Sequence, residues 1–469
     1  MLTISKDDIA YRIARDNPWW TDAEVGILEF ELPKRHYFEP FSNLALDRSI
    51  RRAAVLLGPR RVGKTVMVKQ IVPDAIAAGF PRNNILYASI DAPVYAGIGL
   101  EKLVGFLKPD PGPKLVIFDE IQYLKNWEVH LKDLVDSFPD VKFVATGSAA
   151  AALKLKSRES GAGRFSEFIL PPLTFHEFLE FSGKASLIGD KDGAWFTTPD
   201  IESLNAQFID YLNFGGYPEA VFNATVRSNA DQFIKNDIID KVLLKDLPSL
   251  YGINDIQELN RLFSVIAFNT GQEINLETIS QQSGITKPTI KKYIEYLESA
   301  FLVLKVSMIS DTAKSMQRER HFKLYLNNPS MRAALFSPTF AEESDKVGHL
   351  VESAIFAQWQ HAPDFNDLKY ARWKGGEVDV VYMPNGYKNP EWAGEVKWSD
   401  RVVRKEKEVV RNLAHLIRKH PDIEDIFLTT KTTSGTLEVE GHKVSMIPCA
   451  IYCYTVGRNV MSGRLSGAF

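Results

Sequence analysis

Four short runs in the first 150 residues are apolar almost throughout: AAVLL from Ala53, ILYASI from Ile85, KLVIF from Lys114 and VKFVAT from Val141. Each has the length of a strand, and continuous rather than alternating apolarity predicts strands buried on both faces of a parallel sheet. Amphipathic stretches between them predict helices on its two sides, so residues 53–180 read as a doubly wound α/β domain. An aromatic leader precedes it, with Trp19, Trp20, Tyr37, Phe38 and Phe41. From about Phe208 to Leu250 the apolar spacing turns helical, interrupted by a GGYP turn at Gly215–Pro218. Residues 270–308 read as helix, turn, helix and strand, and 320–455 return to mixed strands and helices.

The expected organisation is a leader (1–50), an ATPase-type core (51–205), a helical lid or connector (206–260), a winged helix (261–325) and a mixed α/β domain (326–469). A polar, charged stretch near residue 310, SDTAKSMQRER, marks a linker or wing. About three domains suit a chain of 469 residues.

Composition adds mainly exclusions. With 45% apolar and 25% charged residues the chain is neither disordered nor membrane-like, and a net charge of −3 supplies no global attraction to nucleic acid or lipid. The N-terminus carries charges where a signal peptide needs an apolar core, and no run of about 18 apolar residues occurs, so no membrane partner and a cytoplasmic location are expected. Cys449 and Cys453 lie in an apolar run without metal or redox spacing, and read as buried thiols in a reducing compartment.

The most informative chemistry is Gly58-Pro59-Arg60-Arg61-Val62-Gly63-Lys64-Thr65, which fits G-x-x-x-x-G-K-[ST] and falls where it must, after one strand and before a helix. Backbone N–H groups of such a loop cradle the phosphates of ATP, Lys64 neutralises β and γ oxygens, and Thr65 offers a hydroxyl to Mg²⁺. Asp119-Glu120 ends the third strand, at the carboxyl edge where open α/β sheets bind ligands. Asp119 is expected to hold Mg²⁺ and Glu120 to orient or deprotonate the attacking water. The fourth strand ends in Thr146-Gly147-Ser148; Ser148 is either a sensor of the γ-phosphate or the N-cap of the next helix.

These segments resemble a known family. GPRRVGKT, DEIQ, ATGSAAA, GAGRFSEFILPPLTFHEFL at 161–179 and LNFGGYPEA at 212–220 are similar, in that order, to prokaryotic AAA-like P-loop ATPases with a C-terminal domain of unknown function. The resemblance covers all but about the first 40 residues. It implies a winged helix and a PD-(D/E)XK restriction-endonuclease-like domain after the core. In the family's GR element, Arg164 is either an arginine finger completing a neighbour's site, which implies a homo-oligomeric ring, or a surface arginine capping a turn; Arg158 is the alternative finger.

Residues 276–297 show helix-turn-helix spacing, with a Ser283-Gly284-Ile285 turn and Pro288 in the first turn of the second helix. That helix is expected to bury Ile290, Tyr293, Ile294 and Leu297 and to offer Lys287, Thr289, Lys291 and Lys292 to DNA, with a basic wing of Lys314, Arg318, Arg320 and Lys323 behind it. The same architecture also serves protein docking. Further on, Glu377-Val378-Asp379 and Glu395-Val396-Lys397 place carboxylates and a lysine on neighbouring strands, with Glu352 on an upstream helix. Glu352, Asp379 and Glu395 would supply hard oxygen ligands for Mg²⁺ and Lys397 would stabilise developing negative charge. Their order follows that of PD-(D/E)XK nucleases, although Val378 stands where the literal motif has proline. Active nuclease and inactive binding or assembly module are both open readings.

Overall fold

The four apolar runs form strands Ala53–Leu57 (β1), Ile85–Ser89 (β2), Lys114–Asp119 (β3) and Val141–Gly147 (β4), and Phe165–Ile169 (β5) completes a parallel sheet ordered β2-β3-β4-β1-β5. All five residues of β1 are buried, as a central strand covered on both faces requires. The computed structural model describes residues 5–21, 26–107, 110–147, 163–253, 255–312, 321–384, 389–401 and 406–460. They divide into two compact units, Met1–Pro171 and Pro172–Phe469.

The aromatic leader belongs to the first unit. Helix Lys6–Asp16 (α1), held by a Ser5/Asp8 capping box, leads to Asn17, whose side chain accepts from the Tyr87 amide at 2.6 Å and donates to the Tyr87 carbonyl at 2.8 Å. Trp19 and Trp20 both donate their indole N–H to the Ile85 carbonyl. These side chains satisfy backbone groups of edge strand β2 that would otherwise invite pairing with another chain. Helix Phe38–Leu46 (α2) follows, and its Phe41 ring packs 5.2 Å from that of Phe168 on β5. Helix Lys64–Ala77 (α3) leaves β1 through the phosphate-loop motif.

The second unit is organised by a nine-stranded mixed sheet: Glu273–Asn275 (β6), Val303–Ile309 (β7), His321–Leu326 (β8), Leu368–Trp373 (β9), Gly376–Tyr382 (β10), Trp392–Glu395 (β11), Asp425–Thr430 (β12), Gly435–Val439 (β13) and His442–Pro448 (β14). Its order is β13-β14-β12-β11-β10-β9-β7-β8-β6. Alternation along β10–β12 sends Val380, Tyr382, Trp392 and Phe427 into one core and Val378, Val381, Ala393, Ile426 and Leu428 into the other. Between Val378 and Val381 the β9–β10 register slips by one residue, a bulge that falls at Asp379.

The helix pair appears as Leu276–Ser283 (α4) and Lys287–Ser299 (α5), the latter capped by Thr286 and burying Ile290, Tyr293, Ile294 and Leu297. Helix Ser344–Trp359 (α6) buries Val347, Leu350, Val351, Ala354, Ile355 and Trp359 at helical spacing against the first core, where Cys449–Asn459 (α8) also packs; Arg411–Lys419 (α7) packs on the second core.

Two boundaries differ from the expected organisation. The first unit ends at Pro171, before residue 205, because α-helical residues from Phe175 onward pack into the second unit's core. The strands expected to form a wing and those of the following domain share one sheet: β7 pairs antiparallel with β8 and parallel with β9, so residue 325 lies inside a strand. Cys449 and Cys453 are buried free thiols on α8. Among the described residues no helix is long and apolar enough to cross a membrane.

Candidate functional site

Two constellations stand out, one in each unit. In the first, Gly58-to-Thr65 wraps the carboxyl end of β1. Gly58 cannot bear a side chain: a Cβ there would lie 2.2 Å from the Leu170 carbonyl oxygen. Gly63 takes φ 97°, a left-handed conformation open to glycine, and its carbonyl starts α3. Lys64 is 5% exposed, with Nζ 3.1 Å from the Gly58 carbonyl and 2.6 Å from that of Pro59, so its ammonium is folded over the loop. Arg60 donates to the Tyr123 hydroxyl at 3.2 Å, Arg61 adopts φ 64°, and Val62 is buried.

Asp119 ends β3 and is 1% exposed. Its Oδ2 accepts from Thr65 Oγ1 at 2.8 Å and from the Tyr87 hydroxyl at 2.7 Å, while Oδ1 accepts from Thr146 Oγ1. Glu120 follows with φ 53°, and its amide donates to Thr146 Oγ1 at 3.0 Å; Gln122 donates to its carboxylate. A non-glycine residue in that backbone region is held there by its surroundings, and such strain concentrates at functional sites. Burial first, then the charge of Asp119, pushes the Tyr87 phenol far above its ordinary pKa, so it remains a donor.

Three members of this constellation were not singled out by the sequence, although Thr146 lies in the strand end that was. Thr146, fully buried, is the polar residue of β4 that joins both acids, while Ser148 and Arg158 lie outside the described residues. Tyr87 reaches Asp119 from the neighbouring strand. Arg35, from the leader, donates to the carbonyls of Val62 at 2.9 Å and Pro171 at 3.1 Å, bracing the loop from behind. Strand register brings Tyr87 and Thr146 to Asp119, with Ser89 opposite Asp119 and Ala145 opposite Phe118. Arg164 precedes β5 at the opposite edge of the sheet from the phosphate loop and pairs with Asp136 at 2.5 Å.

In the second unit the structure brings Glu352, Asp379, Glu395 and Lys397 together. Lys397 Nζ lies 2.7 Å from Glu395 Oε1 and 3.4 Å from Asp379 Oδ2, and the Val396 amide donates to Asp379 Oδ2 at 2.8 Å. Glu395 is 3% exposed, and its Oε2 has no hydrogen-bond partner. Burial, reinforced by Asp379, pushes the Glu395 carboxyl up to about 8. Burial likewise raises that of Glu352, against the pull of Lys323.

Lys323 is the correction here. Expected in a basic wing, it is 4% exposed and faces inward, 2.9 Å from Glu352 Oε1 and 2.5 Å from Glu377 Oε1. On β8 it shares a face with Tyr325, two residues on, whose hydroxyl donates to Glu352. Burial opposes its charge, but Glu352, Asp379 and Glu377 outweigh that and hold the ammonium above the ordinary lysine range.

On α5, Lys287, Lys291 and Lys292 are exposed and Thr289 is half-buried. Lys287 pairs with Glu277 of α4, Lys292 lies 5.7 Å from the centre of the Tyr296 ring, and Thr289 bonds the capping Thr286. Lys314, Arg318 and Arg320 lie outside the described residues.

Comparison with known proteins bears out the class of the first unit. Residues 50–179 match the model of an AAA domain, and residues 205–342 match that of a domain of unknown function. The first unit is thus an AAA-like domain of α/β fold with a parallel five-stranded sheet. Among relatives, an uncharacterized protein of Methanocaldococcus jannaschii is 25% identical over 337 residues, 70% of this chain and 71% of its own length. An uncharacterized protein of Haemophilus influenzae is 26% identical over 295 residues, 60% and 68% of the two lengths. Of solved structures, a Walker-type ATPase of Pyrococcus abyssi is similar at a TM-score of 0.41 and 15% identity, covering 66% of this chain and 99% of that one. Cdc6p from Pyrobaculum aerophilum reaches 0.29 at 13% identity, covering 66% and 97%. At such scores neither likeness speaks to function.

Proposed function

We propose that the chain is an ATP-hydrolysing AAA-like ATPase that assembles as a homo-oligomeric ring and acts on DNA, with a nuclease-like domain in its second unit. The observation that carries the ATPase reading is the closed set of contacts Thr65–Asp119–Thr146–Glu120 at the mouth of the phosphate loop. The donor set fits Mg²⁺: a hydroxyl and a buried carboxylate already point at one another, both hard oxygen donors. Thr65 and Asp119 would hold Mg²⁺, which would neutralise charge on the phosphates. Lys64 leaves the Gly58 and Pro59 carbonyls for the phosphate oxygens, the loop amides orient the chain of phosphates, and Glu120 takes a proton from the attacking water.

Phosphate release from MgATP tests this. Lys64→Ala should weaken ATP binding, and Glu120→Gln should bind ATP and retain it unhydrolysed. Undiminished turnover in both variants would refute the assignment.

Ring assembly is supported by Arg164, which β5 separates from the phosphate loop of its own chain, so a γ-phosphate within its reach would belong to another subunit. DNA action is supported by the exposed Lys291 and Lys292 on the second helix of the pair. ATPase rates with branched and linear DNA check it; no stimulation together with no binding at low salt would sink the DNA role. A reducing, cytoplasmic setting accords with the two buried free thiols.

A second reading concerns the carboxylate–lysine cluster, favoured by the orphaned Glu395 Oε2 beside Asp379 and Lys397. An active nuclease requires Mg²⁺-dependent DNA cleavage that Asp379→Ala and Lys397→Ala abolish. Absence of cleavage in the wild type would leave the alternative, a nucleotide-gated regulatory ATPase that holds partners through the winged helix and carries an inactive nuclease fold.

A further inference from the structure

The cluster of the second unit contains two ammonium groups, and they divide it. Lys323 Nζ lies 2.9 Å from Glu352 Oε1, 2.5 Å from Glu377 Oε1 and 3.9 Å from Asp379 Oδ1, with the Tyr370 ring centre 5.2 Å away. Lys397 Nζ serves the other side, 2.7 Å from Glu395 Oε1 and 3.4 Å from Asp379 Oδ2. Asp379 therefore turns one oxygen to each lysine. The two cations differ in freedom: the Lys323 side chain is 5% exposed and that of Lys397 is 40% exposed. Lys397 can swing out on its stem, whereas Lys323 cannot leave without stripping Glu352 of its counter-ion and leaving Glu377 to Arg372 at the rim. Glu352 is further committed through the Tyr325 hydroxyl. The one buried carboxylate oxygen of the cluster without a partner, Glu395 Oε2, lies on the Lys397 side.

Charge points the same way. Glu352, Glu377, Asp379 and Glu395 face Lys323 and Lys397, with Arg372 touching Glu377 at 3.5 Å from the rim. With Arg372 matched by Glu273 at 2.9 Å, four carboxylates stand against two ammoniums, Lys323 buried and Lys397 part-exposed, which leaves room for one divalent cation. A second would leave excess positive charge in a buried site, at a desolvation cost nothing present would offset.

We propose that Lys323 is a resident cation standing in place of a second divalent ion, so that the cluster takes a single divalent metal at Asp379 and Glu395, with Glu352 as counter-ion to Lys323 rather than metal ligand. This rests on reading the cluster as a metal site, and it reassigns Glu352 within that site.

The test is Mn²⁺ binding to the full chain without nucleotide, followed by electron paramagnetic resonance. Asp379→Asn should remove one Mn²⁺ per chain relative to the wild type. Glu352→Gln is near-isosteric and keeps an oxygen for Tyr325, so its Mn²⁺ affinity should stay within about threefold, below the 10- to 100-fold losses expected even of an essential outer-sphere partner. Lys323→Gln should bind one additional Mn²⁺. The proposal is overturned if Asp379→Asn removes two ions, if Glu352→Gln weakens binding more than about tenfold, or if folded Lys323→Gln gains none. Should Lys323→Gln fail to fold, the Glu352→Gln affinity decides alone. Loss of no Mn²⁺ in Asp379→Asn would refute the metal site itself, and this inference with it.

Discussion

Replacing Thr146 by valine removes one oxygen from the proposed ATPase site and almost no volume. That oxygen donates to Asp119 Oδ1 and accepts the Glu120 amide at 3.0 Å. Asp119 keeps two other donors, Thr65 and Tyr87, so its position and charge should survive. Glu120 is less secure: its φ of 53° is costly for a side chain with a Cβ, and its amide loses the acceptor that helps hold it there. A neutral amide-to-hydroxyl hydrogen bond contributes about 0.5–1.5 kcal/mol. At about 1.36 kcal/mol per tenfold in rate, loss of that amount from the transition state alone lowers kcat roughly 2- to 13-fold. ATP affinity should change by no more than about threefold, because binding uses the loop and Lys64 rather than Glu120. Single-turnover phosphate release, with the Kd for ATP measured alongside, separates the two quantities. Thr146→Ser, which restores the hydroxyl, should recover most of the rate. A folded Thr146→Val with wild-type kcat, or one in which only the thermal midpoint falls, would refute the view that Thr146 positions the catalytic base.

Three other outcomes follow from the same geometry. Tyr87→Phe removes one of the donors to Asp119 Oδ2 but none of the leader contacts to the β2 backbone, so it should weaken Mg²⁺-dependent ATP binding several-fold while leaving the thermal midpoint nearly unchanged. Gly58→Ala sets a methyl 2.2 Å from the Leu170 oxygen, and circular dichroism melts should show a marked loss of stability together with loss of ATP binding. The Glu395 carboxyl is pushed up to about 8 from an ordinary 4.5, so the fold favours its protonated form. Its stabilising contribution is complete below 4.5 and is lost as pH rises through 8. Denaturant midpoints of the metal-free protein should therefore fall from pH 5 to pH 8, and in Glu395→Gln that fall should be reduced.

Legibility followed locality. The phosphate loop could be read because its eight residues are contiguous and carry their own context, a buried strand before and a helix after. Asp119-Glu120 could be read because a continuous apolar run announces where a strand ends. Pro288 and the stripe from Ile290 to Leu297 marked α5 in the same way. Thr146, Tyr87 and Arg35 could not be singled out, since each reaches the site across strand register or from the leader, and nothing in a threonine or a tyrosine states which neighbour it will face. The tryptophans of the leader carried a signal, aromatic density before a sheet, but not that they would satisfy the backbone of its edge strand. Lys323 was misplaced because it follows Arg318 and Arg320 in sequence, and charge runs are ordinarily solvated. The alternation of β8, with Phe322 and Leu324 between Lys323 and Tyr325, put Lys323 on the inner face instead.

That inward lysine also explains why the helix pair and the carboxylate cluster cannot be treated as separate modules. The chain leaves α5, enters β7 and returns along β8, which carries Lys323, while the other edge of β7 pairs with β9 beside the strand of Glu377 and Asp379. A cut at residue 325 would part β7 from β9 and expose that edge. It would also separate a buried ammonium from the three carboxylates that hold it charged, and removing one side of a buried ion pair costs about 3–5 kcal/mol. The two halves are therefore one cooperative structure, in which the strand following the second helix also carries a cation into the cluster.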